Sequence, residues 1–361
     1  MLLINNQTVE KILDMKGCLK ALEIGYRDLS EDRASYRPRI DVFAPTDDPE
    51  LMFRWGTMEG VSRTLETFAI RMKSDMLHWP DGKTVEKYCI EPGTYCGLIL
   101  VFSTRNAEPL AMINDGIIQH MRVGACAGLG ARYLARADAS VVGILGSGGM
   151  ARSYLAAFHE VRNLSKVKVY SPTKEHRESF AREMSSQLKV DVIPEEDIKN
   201  VVQGSDIVAT CTDSIQVVVQ ERSWIAPGVH LTCVRPNEWS PDIVKDCDLV
   251  IKLGRGTIQN LDEGMQRIAG YAAYVAGTQS EMQRIRQPVV DLFEKSYPTL
   301  TDVMSGKLKG RTDNSQKTFF VNDGTQGLQF ASVAGYVVRK AKELGLGQQI
   351  PTGWFTQDIR D

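Results

Sequence analysis

Val141-Val142-Gly143-Ile144-Leu145-Gly146-Ser147-Gly148-Gly149-Met150-Ala151 is the stretch on which the reading of this chain turns. Its first five residues are apolar and uncharged, which fits a short strand buried on both faces. Two spaced glycines follow at once, and a helical pattern then runs to about Asn163. A Gly-x-Gly-x-x-Ala spacing alone says little, because glycine pairs are common in turns. Between a buried strand and a helix it has a physical purpose. Gly146 permits the tight turn, Gly148 lets a pyrophosphate approach the backbone, and Ala151 lets the helix pack close to the strand. The helix N-terminus, with Ser147, Gly149 and Met150, then offers free N–H groups and a positive dipole end to the phosphate. A purely structural glycine turn is the alternative.

The flanking pattern favours the nucleotide reading. Short apolar strands recur at 167–170, 190–193, 207–211, 229–234 and 249–251, with helical stretches at 174–188 and 194–202 between the first of them. Strands alternating with helices predict a parallel sheet with crossover helices, here a Rossmann domain binding NAD(H) or NADP(H). At the end of the second strand an NAD site places Asp or Glu against the ribose 2′-hydroxyl. This chain reads Tyr170-Ser171-Pro172-Thr173-Lys174, with Arg177 a turn further on and no carboxylate before Glu175. Hydroxyls and cations suit a 2′-phosphate, so NADP(H) is favoured over NAD(H), unless Lys174 and Arg177 are merely solvated helix charges. Thr210 and Thr212 close the fourth strand, at the end that faces the ligand crevice.

Upstream, residues 9–30 read as one amphipathic helix, and Arg37-Pro38-Arg39-Ile40 is extended because of its proline. Residues 68–73 alternate apolar and basic, so as a strand they project Arg71 and Lys73 from one face. Residues 97–102 form an apolar strand with 110–113 as hairpin partner, followed by an Ala/Gly-rich helix over 118–135 suited to close packing. Downstream, 261–295 reads as helical, 299–309 as a short helix, and 319–344 as the last strong helix. Trp55, Trp79 and His78 fall in loops on this reading, either shaping an apolar part of a ligand site or simply packing.

The chain has 361 residues, 43% hydrophobic and 24% charged, with a net charge of −2, enough for two ordinary globular domains. That charge implies no general attraction to nucleic acid or anionic membrane, and no run is long and apolar enough for a spanning helix. Seven scattered cysteines without a Cys-x-x-Cys pair, and five histidines without ligand spacing, argue against a disulfide framework or metal site and fit a reducing cytoplasm.

Taken together, the chain resembles the ornithine cyclodeaminase/mu-crystallin family over nearly its whole length. The marks are Arg39 in its proline-flanked stretch, the basic strand near Arg71 and Lys73, Asn114-Asp115-Gly116-Ile117-Ile118-Gln119-His120-Met121-Arg122 before the small-residue helix, the nucleotide loop, Trp224-Ile225-Ala226-Pro227-Gly228-Val229-His230, and Phe320-Val321-Asn322-Asp323-Gly324. The resemblance implies an α/β chain in which a Rossmann domain (123–319) is inserted in a smaller α+β substrate-binding and dimerisation domain (1–122 plus 320–361). It implies a homodimer and a small amino, imino or keto acid substrate held before the nicotinamide.

Carried onto this sequence, the resemblance gives Arg39 and Arg122 the substrate carboxylate, with Arg122 also beside the cofactor. A guanidinium suits this, although an interdomain salt bridge would use the same residues. The family's basic strand carries a lysine at the reacting centre; alignment sets Arg71 there, with Lys73 two residues on. Arg71 cannot exchange protons near neutral pH, whereas a desolvated Lys73 could. Thr210, Thr212, Val234, Asn322 and Gly324 match positions around the nicotinamide. Cyclodeaminases carry an aspartate after the fifth strand; here the stretch is Cys233-Val234-Arg235-Pro236-Asn237-Glu238-Trp239, without one. That loss counts against cyclodeamination, and Arg235 with Asn237 suggests a different substrate, one with a second anionic group. The expectation is therefore an NAD(P)H-dependent reductase or dehydrogenase of an imino or amino acid. A cyclodeaminase-type lyase recycling NAD, or a non-catalytic NADP-dependent ligand-binding protein of mu-crystallin type, are the alternatives.

Overall fold

A computed structural model describes residues 1–79, 85–254, 260–268, 271–284 and 296–359. The decisive stretch folds as its chemistry requires: strand Val141–Leu145 runs into helix Gly149–Val161. Among the described residues that strand lies in a seven-stranded parallel sheet. The order is Asp191–Pro194, Lys166–Tyr170, Val141–Leu145, Ile207–Thr210, His230–Cys233, Thr318–Val321, Leu249–Lys252. The strand Val141–Leu145 has a neighbour on each side, which explains its unbroken apolar run. This is the Rossmann-type α/β architecture.

The strand Thr318–Val321 corrects the expected helix over 319–344. Its four residues, all buried, slot between His230–Cys233 and Leu249–Lys252, and the helix begins only at Gln326. Four apolar residues cannot be told from a first helical turn by periodicity alone. The expected domain limits at 122/123 and 319/320 fall inside helix Gly116–Leu134 and this strand.

The rest of the chain builds a second, eleven-stranded sheet among the described residues. Its centre is Ile40–Pro45, Leu51–Ser62, Thr67–His78, Cys96–Ser103 and Pro109–Asn114 in antiparallel order, with Glu86–Tyr88 paired to the far end of Thr67–His78. Along Leu51–Ser62 every second residue is buried and the others are half-buried. The buried face packs against helix Gln326–Leu344, whose Leu328 and Phe330 join Met58, Ala69 and Ile99 in one core with helices Met15–Ser30 and Gly116–Leu134. The other face leaves Phe53, Trp55, Ile70, Met72, Leu98 and Leu100 half-buried, flanked by exposed Val42 and Tyr274.

Two further expectations are corrected. The helix over 9–30 is two helices, Asn6–Ile12 and Met15–Ser30. Asp14 interrupts the apolar pattern, turns extended, and accepts the Gly17 N–H at 2.6 Å as N-cap of the second. Among the described residues the helix over 261–295 is a hairpin, Gln266–Ile268 with Tyr271–Val275, followed by a short helix, Gln279–Met282. Alanines 272 and 273 read as helix formers, but the parallel edge of Ile40–Pro45 takes up their backbone hydrogen bonds. Residues 285–295 of that expectation lie outside the described residues.

The small residues of helix Gly116–Leu134 do what their size allows. A side chain on Gly124 would strike the Ser153 backbone, and one on Gly128 would come within 2.9 Å of the Ala157 methyl, so the two helices that bracket the nucleotide loop pack nearly backbone to backbone.

A candidate active site between a cationic sheet face and the nucleotide loop

Gly146 takes φ +115°, donates its N–H to the Tyr170 carbonyl at 2.8 Å, and leaves no room for a side chain beside the Cys211 carbonyl. Gly148 is the N-cap of the helix at φ −85°, and a Cβ placed there would meet nothing within 4 Å. Its lack of a side chain therefore serves nothing inside the protein; the space is open toward the side where a pyrophosphate would come. Ala151 is fully buried and Met150 half-buried. The Ser147 carbonyl accepts the Arg152 guanidinium at 2.5 Å, which fixes the loop to Glu183.

Just beyond strand Thr318–Val321, Asn322 donates its amide to the Val123 carbonyl at 3.0 Å and to the Tyr154 hydroxyl at 2.6 Å, and the Tyr154 hydroxyl donates to the Cys233 carbonyl at 3.0 Å. Asn322 Oδ1 is buried with no hydrogen-bond partner. Gly324, at φ +101°, turns the chain just beyond it. An open glycine cradle and an orphaned buried amide oxygen fit a dinucleotide whose carboxamide end needs a partner.

The ribose end differs from expectation. Arg177 is buried and donates to the carbonyls of Ser171 at 3.0 Å and Pro172 at 3.4 Å. It braces the turn rather than standing free as a solvated charge. Ser171 is buried and Lys174 exposed. Thr210 is fully buried, and the Thr212 N–H and hydroxyl both bond Glu238. Glu238 also accepts the Arg235 N–H at 3.1 Å, so it ties two strand ends together and does not enter the site. Burial holds its carboxyl above the usual range. Val234 donates its N–H to the Thr210 carbonyl; Arg235 and Asn237 side chains reach the carbonyls of Asp213 and Ser214.

The sheet's buried face carries the charge. Strand alternation and register put Arg71, Lys73 and Asp75 of one strand, Arg54 of the next, Asp41 beyond it, and Lys87 from Glu86–Tyr88 on this single face. Lys73 Nζ lies 2.6 Å from the Asp75 carboxylate, and Arg54 bonds the same oxygen. Lys73 has a glycine opposite it on each side, Gly56 and Gly97. Burial pushes the Lys73 ammonium well below its ordinary range, helped by Arg54, Lys87 and Arg71 and opposed by Asp75. Arg71 is committed elsewhere: its Nε donates to Asp115 at 2.6 Å, both side chains are buried, and its guanidinium stacks 5.3 Å from the Phe330 ring.

Arg122 approaches from helix Gly116–Leu134 onto the same ring, at 4.8 Å. Gln329 and Gln119 hold its two terminal nitrogens, and its buried Nε has no partner. Burial is the main cause that brings its pKa down to about 10. Arg39 differs from a free anchor. It is gripped by Asp41 through two bonds of 2.6 and 2.7 Å and stacks 4.7 Å from Tyr271, whose hydroxyl donates to Asp323. Asp41 raises the Arg39 pKa despite burial.

Trp55 and His78 lie on the sheet's other face, His78 beside Glu86 at 3.1 Å, so neither reaches this site. Trp79 packs with Phe43, Met52 and Leu77 at its edge. Arg54, Asp75, Asp41, Lys87 and Tyr271 went unread in the sequence. The available signal was a charge at an inward position of an alternating strand, as in Met52-Phe53-Arg54-Trp55-Gly56.

Comparison with known proteins agrees with this geometry. The chain is 24% identical over 359 residues to a Δ1-pyrroline-2-carboxylate reductase of Bacillus cereus, covering 97% of this chain and 99% of that one. It is 23% identical to an alanine dehydrogenase of Archaeoglobus fulgidus, covering 97% and 98%. Among solved structures, Thermococcus litoralis Δ1-pyrroline-2-carboxylate reductase with NADH and L-proline superposes with a TM-score of 0.76 at 24% identity, covering 97% of this chain and all of that one. The profile of the ornithine cyclodeaminase/mu-crystallin family matches residues 2–343, and the chain belongs to that family.

Proposed function

We propose that the protein is an NAD(P)H-dependent reductase of a small imino acid, running between C=N and CH–NH, and that NADP(H) is its preferred dinucleotide. Residues 123–319 form the dinucleotide-binding domain, which Arg122, Asn322 and Gly324 complete from the substrate-binding domain of 1–122 with 320–361. The observation that carries the reading is Lys73: a desolvated ammonium flanked by two glycines, on the face that Arg122 also enters. The names of the relatives above point to the same reaction class.

Bound at Gly146, Gly148 and Asn322, the reduced dinucleotide supplies the hydride that reaches the C=N carbon. Arg122 has no carboxylate partner among the described residues, and it anchors the substrate carboxylate. Lys73 gives its proton to the substrate nitrogen and recovers one from solvent, a role that its lowered pKa suits. Arg71, locked to Asp115, supplies fixed positive charge and no proton. Ser171, Thr173 and Lys174, with no acidic side chain before Glu175, support the 2′-phosphate preference. The half-buried apolar sheet face around Trp55, Met72 and Leu100 supports a homodimer. Cyclodeamination is disfavoured because the stretch Cys233–Trp239 after the fifth strand holds no aspartate, and its one carboxylate, Glu238, is tied to Thr212.

The test is Δ1-pyrroline-2-carboxylate reduction with NADPH and NADH, followed at several pH values. Lys73→Met is expected to lose about 10² to 10⁴ of kcat, the usual worth of a positioned acid. Lys73→Arg is expected to bind substrate but to remain slow and lose the alkaline fall in rate. Wild-type turnover by Lys73→Met would overturn the assignment, and a preference for NADH would overturn the NADP(H) choice.

A further inference from the structure

Arg122 is held unlike the other arginines of the site. Arg39 is paired with Asp41, Arg54 with Asp75 and Arg71 with Asp115. Arg122 has neutral partners instead: its Nη1 donates to Gln329 Oε1 at 2.7 Å and its Nη2 to Gln119 Oε1 at 2.8 Å. The Phe330 ring, 4.8 Å away, adds no counter-charge. A buried guanidinium normally takes a carboxylate, because an uncompensated charge is costly away from water. Here both terminal nitrogens are bonded while the charge is left uncancelled. A pKa brought down to about 10 still leaves the group charged at neutral pH. Its Nε is buried and has no hydrogen-bond partner among the described residues.

Gln329 fixes the direction of this clamp. Its Nε2 donates to the Gly324 carbonyl at 2.8 Å and to Thr325 Oγ1 at 3.2 Å, and the side chain is 1% exposed. Turning the amide over would set its N–H groups against the guanidinium and its oxygen against a carbonyl, so Oε1 must face Arg122. Thr325 is pinned in turn: it stands at φ +55° at the head of helix Gln326–Leu344, with the Tyr26 hydroxyl 2.7 Å from its own. Gln329 thereby joins Arg122 to the turn at Gly324, just beyond Asn322. Gln119 is simpler. It lies one helical turn before Arg122, half-buried, and its side chain makes no other hydrogen bond among the described residues.

We infer that Gln119 and Gln329 are positioning residues that hold Arg122 with neutral oxygens, so that its positive charge is kept whole for the substrate carboxylate and the site prefers an anion. This rests on the proposed role of Arg122 as the carboxylate anchor. The two glutamines have separate consequences. Gln119 orients the guanidinium without cancelling its charge. Gln329 does the same and also fixes the anchor relative to the turn at Gly324, so its loss misplaces the substrate against the dinucleotide.

Isothermal titration calorimetry tests it, with pyrrole-2-carboxylate and its uncharged relative pyrrole-2-carboxamide added to protein saturated with NADPH or NADH. The kcat and KM for Δ1-pyrroline-2-carboxylate are measured beside it. Gln119→Glu sets a carboxylate on Arg122 at almost unchanged size. It is expected to weaken carboxylate binding by about tenfold or more, the scale of a lost charge-assisted hydrogen bond, and to leave carboxamide binding as it was. In turnover that loss should fall on KM and spare kcat. Gln329→Met should raise KM and lower kcat together. Arg122→Met, as the reference, should lose the carboxylate. Carboxylate binding untouched by Gln119→Glu, or both ligands weakened alike as a purely structural glutamine would do, with Arg122→Met still losing the carboxylate, would overturn the clamp and leave the anchor standing. Undiminished carboxylate binding by Arg122→Met would overturn the anchor, and the clamp with it.

Discussion

Replacing Asp115 by Asn removes one charge and almost no volume from the centre of the site. Arg71 and Asp115 are both buried, the pair joins through one carboxylate oxygen by a hydrogen bond from Nε and a second ion-pair contact, and no other acid is bonded to Arg71 among the described residues. Asp115→Asn therefore strands a buried guanidinium, which costs about 3–5 kcal/mol. Unfolding entropy of about 2.1 cal/mol/K per residue gives about 0.76 kcal/mol/K for a chain of 361 residues. The expected fall in Tm is then about 4–7 °C, read by differential scanning calorimetry at neutral pH. Adding Arg71→Met should restore more than half of it, since the cost is the unpaired charge and not lost packing. A fall below about 1 °C, or a double variant as unstable as Asp115→Asn alone, would refute the argument that the pair is needed as a pair.

Gly148→Val should leave Tm within about 1 °C, because nothing in the protein contacts a Cβ there, yet weaken NADPH binding by about a hundredfold through its block on the pyrophosphate; tight binding in a fluorescence titration would contradict the cradle. His230 is fully buried and burial, with Arg311 and Arg162, holds its pKa down to about 3. The unfolded chain then takes up a proton below about pH 6.5 that the folded one refuses, so stability present above 6.5 is lost on acidification, about 2 kcal/mol by pH 5. His230→Asn should flatten the Tm profile between pH 7 and 5, and an unchanged slope would exonerate His230. Met72→Asp, on the half-buried outer sheet face, should convert a dimer to monomer in sedimentation velocity, and a persisting dimer would place the interface elsewhere.

What could be read in advance was local. The nucleotide loop is a run of eleven residues whose glycine spacing, strand and helix all lie in one window, so its chemistry survives without knowledge of the fold. Arg71 and Lys73 sharing a face needs only the two-residue strand period. The partners of these groups are different in kind. Asp115 is 44 residues from Arg71, and Arg54 meets Asp75 only because the hairpin register sets them opposite. Nothing near Lys87 in the sequence marks it, since its strand is three residues long and borrows its position from Leu77. The strand Tyr271–Val275 is hidden from a local reading for the same reason: alanine favours a helix locally, and an open sheet edge decides otherwise.

The order in which the chain leaves the ribosome meets a difficulty in this topology. Helix Gln326–Leu344 covers the inward face of a sheet whose central strands end at Asn114, and Leu2–Ile4 pairs with Gln348–Gln349. The seven-stranded sheet likewise stays split until Thr318–Val321 arrives to join its last two strands. Both halves therefore wait, with apolar surface uncovered, for one segment made near the end of synthesis. A nascent chain halted before residue 318 should bind chaperones and be cut readily by protease at sites that the finished protein conceals.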